Sequence, residues 1–258
     1  MANGYVRSVS GECSPFNFFS GVTAGRIAGH TRVTALGHTP TPAANTDVWE
    51  GGGLYPFQAT ATVLEILSSS ASDTAAGTGA RTFTLAGLDA NFNQISEVLT
   101  LNGVTPVQTV KSYIRVNTLQ IASAGSGGVN AGDVTLRVTG AGATQAIARA
   151  LFGYAKQAIF TVPAGFTMVV QDLLFGVAGN GNAVNVTFSF TRVGPTGLIT
   201  TTNEYNANPS SPIQRLPLMG VTVAPMTALT PRITLVGGVP TGAYASFEGL
   251  LIDNTQLS

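Results

Sequence analysis

The chain has 258 residues, of which only 9% are charged, and twelve basic residues balance twelve acidic ones. Soluble domains average about 25% charged residues, so the surface must consist largely of Thr, Ser, Asn, Gln and Gly. Because the basic residues are scattered singly, the sequence predicts no nucleic-acid partner and no attraction to anionic membranes. The weak charge also gives little repulsion between copies, which favours self-association.

Length and cysteine content limit how the chain can be stabilised. Its length allows one large domain or two of about 100–150 residues. The single cysteine, Cys13, excludes an internal disulfide framework. No segment reaches the roughly 20 apolar residues of a membrane-spanning helix, and the first residues lack the apolar core of a signal peptide. We therefore expect a protein made in the cytoplasm, with no membrane partner.

Residues 1–56 are broken by Gly, Pro and Asn and predict an extended N-terminal arm with short strands. The run His38-Thr-Pro-Thr-Pro42 favours extended backbone. Trp49, Tyr55 and Phe57 supply bulky side chains beside a flexible run of glycines. These three aromatics either contact a neighbouring subunit or cover the core of their own chain. We predict that they form an interface.

Residues 57–144 predict a first β domain, because short alternating segments follow one another between turn signals. The pattern favours a sandwich or barrel. The predicted strands are Ala61–Leu67, Thr82–Leu85, Ile95–Leu101, Tyr113–Ile121 and Asp133–Thr139.

Residues 145–258 predict a second β-sandwich domain that is jelly-roll-like, so the expected fold is all-β with two such domains after the arm. Gln145 to Lys156 is either a short helix or an extended linker with a strand. A hairpin is predicted from Gln157–Val162 to Thr167–Phe175, and a crossing or projecting loop over Asn203–Pro212. The further predicted strands are Val184–Thr191, Arg215–Met219, Arg232–Val236 and Ala243–Ile252.

One segment imitates the opening of a calcium-binding loop, Asp89-Ala-Asn-Phe-Asn93. An EF-hand needs Gly at its sixth position and Glu at its twelfth. Gln94 and Thr100 stand there instead, so we interpret the segment as an Asx turn between two strands.

The residues that could support catalysis or metal binding are few. His30, His38 and Cys13 match no zinc pattern and give too small a set for nucleophilic catalysis. Asp47 and Glu50 could form the carboxylate pair of a glycosidase, but solvated loop acids beside Trp49 are the better explanation. No phosphate-binding glycine motif follows a strand. The sequence therefore predicts no enzyme, no cofactor and no metal site.

Six further segments of the first half of the chain form a recognisable set. They are Trp49-Glu-Gly-Gly-Gly-Leu-Tyr-Pro-Phe57, Ile66-Leu-Ser-Ser-Ser-Ala-Ser-Asp73, Gly87-Leu-Asp-Ala-Asn-Phe-Asn-Gln-Ile95, Leu101-Asn-Gly-Val-Thr105, Tyr113-Ile-Arg-Val-Asn117 and Asn130-Ala-Gly-Asp-Val134. These segments resemble structural proteins of tailed bacteriophages. The resemblance covers roughly residues 49 to 138, and the hairpin Phe160-Thr-Val-Pro-Ala-Gly165 is similar but less specific.

The resemblance implies a virion component, and within that group a capsid cement or decoration protein on the exterior of the capsid. Its implied partners are the major capsid protein and further copies of itself in a homotrimer. Each copy would bridge adjacent capsid subunits, and many weak contacts around a symmetry axis would add up. The alternative within the group is a tail- or head-fibre-associated protein that binds a host receptor or glycan.

Overall fold

The computed structural model describes residues 18–179, 184–208 and 213–256. Most regular structure in these ranges is strand, and the two helical segments are α1 (Phe18–Thr23) and the 3-10 turn η1 (Asn254–Gln256). The predicted all-β class is confirmed. No helix in the described ranges is long and apolar enough to cross a membrane. Cys13 lies outside the described residues.

The strands follow one another with short connections along the described chain. In chain order they are β1 (His30–Thr39), β2 (Thr46–Asp47), β3 (Thr62–Ser68), β4 (Ala80–Leu88), β5 (Gln94–Thr100), β6 (Val107–Tyr113), β7 (Arg115–Ala124), β8 (Val134–Val138), β9 (Thr144–Ala148), β10 (Phe160–Thr161), β11 (Phe166–Gly179), β12 (Asn185–Val193), β13 (Ile199–Ala207), β14 (Ile213–Val223), β15 (Ala228–Gly237) and β16 (Pro240–Asp253).

Strands β3 to β9 build two sheets that share one hydrophobic core, and we call this part the first lobe. One sheet has the strand order β6-β3-β8-β9 and the other has β5-β4-β7, with antiparallel pairing throughout. Alternating side chains point inward, among them the fully buried Leu64, Phe83, Leu119 and Leu136. Strands β5 and β6 lie side by side, as do β7 and β9, so the two sheets close around the core.

The remaining strands build two more antiparallel sheets around a second core, and we call this part the second lobe. One sheet has the order β1-β16-β11-β14. The other has β10-β15-β12-β13, with β2 also paired to β15. The sheets meet through large apolar side chains; Phe175 of β11 stacks on Phe188 of β12 with 4.6 Å between ring centroids. Burial of such aromatics dominates the stabilisation of a core.

The first lobe is an insertion in the sequence of the second. Strands β3 to β9 pair only with one another, whereas β2 before them and β10 after them both pair with β15. The chain therefore leaves the second lobe after Asp47, folds the first lobe, and returns at Phe160.

This pairing differs from the predicted arrangement of residues 1–56 as an extended arm. From His30 to Thr39 the chain forms the edge strand β1, which pairs with β16 over its whole length. Its outward residues are mostly polar, with Leu36 the exposed apolar exception, and its inward residues Val33 and Ala35 are buried in the second core. In the sequence, the alternation of β1 is short and is interrupted by Gly37. This glycine packs too closely against Val48 and Ala158 to carry a side chain.

Three further expectations meet a different structure. The predicted hairpin of Gln157–Val162 with Thr167–Phe175 is wrong, because β10 pairs with β15 and β11 pairs with β14 and β16. The stretch from Gln145 begins as strand β9, paired to β8 of the first lobe, and continues without a helix. Strand β13 occupies the first part of the predicted loop over Asn203–Pro212. Local pattern does not identify strand partners, which accounts for the first difference.

Candidate interaction surface

The three aromatics predicted as an interface lie between the two lobes. Trp49 and Tyr55 are buried and Phe57 is half-buried, and together with Ile159 they form a small core of their own. The rings meet edge to face, with centroids 5.1 Å apart for Trp49 and Tyr55 and 4.9 Å apart for Tyr55 and Phe57. We call these three residues the aromatic junction. A neighbouring subunit could touch Trp49 or Tyr55 only if this cluster opened.

Polar groups of the aromatic junction are satisfied within the chain. Trp49 Nε1 donates to the carbonyl of Gly53 at 3.1 Å, and the Tyr55 hydroxyl donates to the carbonyl of Gln145 in the first lobe at 3.0 Å. Burial raises the pKa of Tyr55 well above its ordinary value, a rise that nearby Arg115 opposes. Gly51 lies directly against the Trp49 ring, where a side chain would clash with it. The glycine run is thus a packing requirement as well as a turn.

Arg115 extends the aromatic junction into the first lobe. Its guanidinium lies 5.1 Å from the centroid of Phe57 and 5.4 Å from that of Phe92. Nη1 donates to the carbonyls of Gln58 and Ile114. Burial lowers the pKa of Arg115, although Tyr55 opposes the change. A cation between two rings and two carbonyls holds the lobes together without a carboxylate.

Asp47 and Glu50, considered above as a carboxylate pair, are each committed to structural contacts. Asp47 is fully buried; it accepts from Arg232 Nε at 2.7 Å and from the Tyr55 amide at 2.8 Å. Glu50 accepts from His38 Nδ1 at 2.7 Å and Arg149 Nε at 2.9 Å. These ion pairs tie the segment before the first lobe to both lobes.

The other candidate ligands are also accounted for. Asp89 accepts from the amides of Asn91 and Asn93, so the calcium-like segment is the Asx turn that its sequence predicts. His30 Nδ1 lies 2.8 Å from the carbonyl of Ala28. Among the described residues, no group of three His, Cys, Asp or Glu side chains could hold a metal ion.

A surface that the sequence did not single out lies in the connection after β9. Leu151 is 74% exposed, Phe152 49% and Tyr154 37%. We call residues 149–154 the apolar loop. Exposed apolar side chains are common singly, but three within four residues form a patch of the kind that marks interaction sites. The signal in the sequence was Leu-Phe-Gly-Tyr, which we interpreted only as part of a short helix or an extended linker.

The apolar loop is rigid because each amide from Ala150 to Gly153 has an acceptor. In order these acceptors are Asp133 Oδ1, the Asn130 carbonyl, the Arg149 carbonyl and Asn130 Oδ1. The Asn130 amide group is fully buried, and its Nδ2 donates to the carbonyls of Ala148 and Arg149. The backbone is therefore fixed from inside while the side chains remain outside.

The backbone of the apolar loop is also strained at its most exposed residue. Leu151 has φ of 70°, in the left-handed region that costs a non-glycine residue about 1–2 kcal/mol. Glycine or asparagine would fit this position with less strain. A large apolar side chain is thus held outward at an energetic cost, and an outlier of this kind points to a function for that side chain.

Charged neighbours of the apolar loop are paired beneath it. Arg149 bridges Glu50 and Asp133, and Lys156 Nζ lies 3.2 Å from the centroid of the Phe152 ring. Burial would raise the pKa of Asp133, but the Ala150 amide and Arg149 outweigh it, so the pKa is held below its ordinary value. Burial lowers the pKa of Lys156, and Glu50 opposes this.

The segment that carries Asn130 and Asp133 is itself fixed by the buried Asp73. Its carboxylate accepts from the amides of Ala131 and Gly132 and from the Ser68 hydroxyl. Burial would raise the pKa of Asp73, but these hydrogen bonds outweigh it and hold the pKa below its ordinary value. The loop after β3, which carries Asp73, thus supports the apolar loop from the interior.

A concave and uncharged surface lies on another face of the first lobe. It is a pocket of ≈ 280 Å³ over the outer side of the β5-β4-β7 sheet, closed at one end by Phe160 and Pro163 of the second lobe. Ala86, Ser96 and Thr118 form its floor and are register partners across the three strands. No ionisable side chain of the described chain lines it.

Comparison with known proteins gives a distant likeness to a solved structure. No protein-family model matches the chain, and no curated protein matches it. A structure of infectious bursal disease virus Gt strain is 11% identical, with a TM-score of 0.26; the match covers 88% of this chain and 73% of that one.

Proposed function

We propose that this chain is a virion structural protein of a tailed bacteriophage, a capsid cement or decoration protein. It binds the exterior of the assembled capsid and stabilises the shell by bridging major capsid subunits. A protein that binds only the assembled shell stabilises it, because the free energy of binding adds to the free energy that holds the shell together.

The strand order of the second lobe is the observation that supports the proposal most. We take β1 as the first strand, β2 with β10 as the second, and β11 to β16 as the third to eighth. The sheets then have the orders 1-8-3-6 and 2-7-4-5, which we interpret as a jelly roll. Jelly rolls build viral capsid and lectin domains and cupins. Fold alone does not fix function, so the surface must supply the rest.

The surface supports a binding role. The lobes are joined by buried aromatics and ion pairs, which suits a rigid body that bridges neighbours. The apolar loop offers preorganised contact area at low entropic cost. Asp47 and Glu50 are occupied by Arg232, His38 and Arg149, so the proposal includes no catalytic role.

The test is to find the protein in virus particles. Particles from cells that produce this chain are purified by density gradient and labelled with antibodies raised against the recombinant protein. We expect the chain to co-purify with particles and the label to cover the capsid surface. Label confined to tail tips or fibres would favour the alternative, a fibre-associated protein that binds a host receptor or glycan. Absence from the particles contradicts both.

A further inference from the structure

The apolar loop and the uncharged pocket belong to the same chain but cannot meet within it. Tyr154 and Ala155 are hydrogen-bonded beside Gln120 and Leu119, at the edge of β7 that faces away from β4. The pocket lies over the face of the β5-β4-β7 sheet. Because the loop backbone is fixed at every amide from Ala150 to Gly153, its side chains cannot fold back across that face.

The two surfaces are complementary in chemistry. The loop presents Leu151 and Phe152 outward, and the pocket is lined by small and apolar residues together with uncharged polar ones. Filling the pocket with these side chains would remove apolar area from water, and the lining of the pocket itself carries no charge that would be buried without a partner. The chain carries twelve charges of each sign, so approach of a second copy meets little net repulsion.

We propose that copies of this chain associate head to tail, with Leu151 and Phe152 of one copy seated in the pocket over Ala86, Ser96 and Thr118 of the next. The inference deepens the proposed function, on which it rests for the expectation that copies associate. A contact between two different surfaces is heterologous, and it closes into a ring when the rotation between copies permits. A homotrimer is the smallest ring of this kind.

Because the backbone at Leu151 is strained, a substitution there can weaken self-association without destabilising the fold. Leu151→Asn keeps the backbone amide that donates to Asn130, suits the left-handed conformation better than leucine, and removes the apolar side chain. The expected result is a variant that unfolds at the same or a higher temperature than the wild type but self-associates at least about tenfold more weakly. Leu198→Asn is the matched control, because Leu198 is 68% exposed on a turn of the second lobe.

The pocket is tested from the other side. Ser96→Arg places a charged side chain on its floor at an exposed position of β5, and Thr100→Arg is the control further along the same strand. We expect Ser96→Arg to weaken self-association as Leu151→Asn does, and Thr100→Arg to leave it unchanged.

The decisive experiment mixes the two defective variants, with masses measured by native mass spectrometry and analytical ultracentrifugation of the full chain. Leu151→Asn keeps an intact pocket and Ser96→Arg keeps an intact loop, so one contact can still form. We expect each variant alone to be monomeric and the mixture to give a one-to-one dimer that cannot close a ring. Self-association of Leu151→Asn at the wild-type strength would overturn the proposal, as would a wild-type chain that stays monomeric or a mixture that stays monomeric. Shell binding by a monomeric wild type would leave the proposed function standing.

Discussion

The aromatic junction and the apolar loop have similar composition, but the side chains of the first are mostly buried and those of the second are exposed. Each places bulky apolar side chains around glycine, Trp49, Tyr55 and Phe57 in one and Leu151, Phe152 and Tyr154 in the other. The sequence pointed to the first as an interface, yet the structure buries it between the lobes and exposes the second.

The difference arises from where the polar groups of each segment find partners. In the junction, the Tyr55 hydroxyl donates to the Gln145 carbonyl of the first lobe and the Trp49 indole donates to the Gly53 carbonyl of its own segment, so both rings are held in the interior. In the loop, the polar partners are the buried Asn130 and the half-buried Asp133, which bind the backbone amides and carbonyls of the loop and the Arg149 side chain. Leu151 and Phe152 are left outside with no polar atom to direct them inward. Hydrophobicity alone therefore does not distinguish a core segment from a contact segment.

The largest expected effect comes from truncating the junction. Trp49→Ala removes a side chain that is 3% exposed and leaves a cavity between the lobes, which should lower the free energy of unfolding by about 3–5 kcal/mol. Phe152→Ala, in the loop, should change it by less than about 0.5 kcal/mol. Urea denaturation followed by circular dichroism measures both. Equal losses in the two variants would contradict the contrast between the regions.

The next largest loss of stability should come from breaking the buried ion pair between Asp47 and Arg232. Asp47→Ala leaves Arg232 with no carboxylate at a site where its side chain is 14% exposed, and breaking a buried pair in this way costs about 3 kcal/mol. The control is Glu248→Ala, which breaks the Arg32–Glu248 pair, whose side chains are 48% and 38% exposed. There we expect less than about 1 kcal/mol. If the two variants lose stability equally in urea titrations, the Asp47 pair does not hold the junction.

Particular strands and residues show how much of the fold and of the candidate surface could be predicted from the sequence. The alternation of β5, β8 and β16 predicts these strands, because one face of each is buried in a single core. Strand β12 also alternates in sequence, although its polar residues Thr187, Ser189 and Thr191 are buried as well. The burial of Trp49 could not be predicted, since it depends on Gln157 and Gly53 at distant or irregular positions. The apolar loop could not be predicted either, because its conformation is set by Asn130, a residue about twenty positions away that no local pattern links to it.

A smaller effect tests the hydrogen bond that links the junction to the first lobe. Tyr55→Phe keeps the ring contacts with Trp49 and Phe57 but leaves the buried Gln145 carbonyl without the hydroxyl donor. We expect a loss of about 1–2 kcal/mol in the free energy of unfolding. The matched change in the other region, Tyr154→Phe, should leave stability unchanged in the same urea titration. A neutral Tyr55→Phe would mean that the ring contacts alone join the lobes.

The smallest effect is a pH dependence that should appear in the apolar loop. The Asp133 carboxylate accepts from the Ala150 amide and Arg149, and its pKa lies below the ordinary value of 3.8. A depressed pKa means that the ionised form is favoured by folding. The stabilisation from Asp133 is therefore present above the ordinary pKa and is lost as the pH falls through the lower, folded-state value. We expect the Ala150 amide resonance to titrate with a midpoint below 3.8, and Asp133→Asn to abolish that titration. A midpoint above the ordinary value would mean that burial outweighs the two hydrogen bonds, and the loop would then owe its rigidity to Asn130 alone.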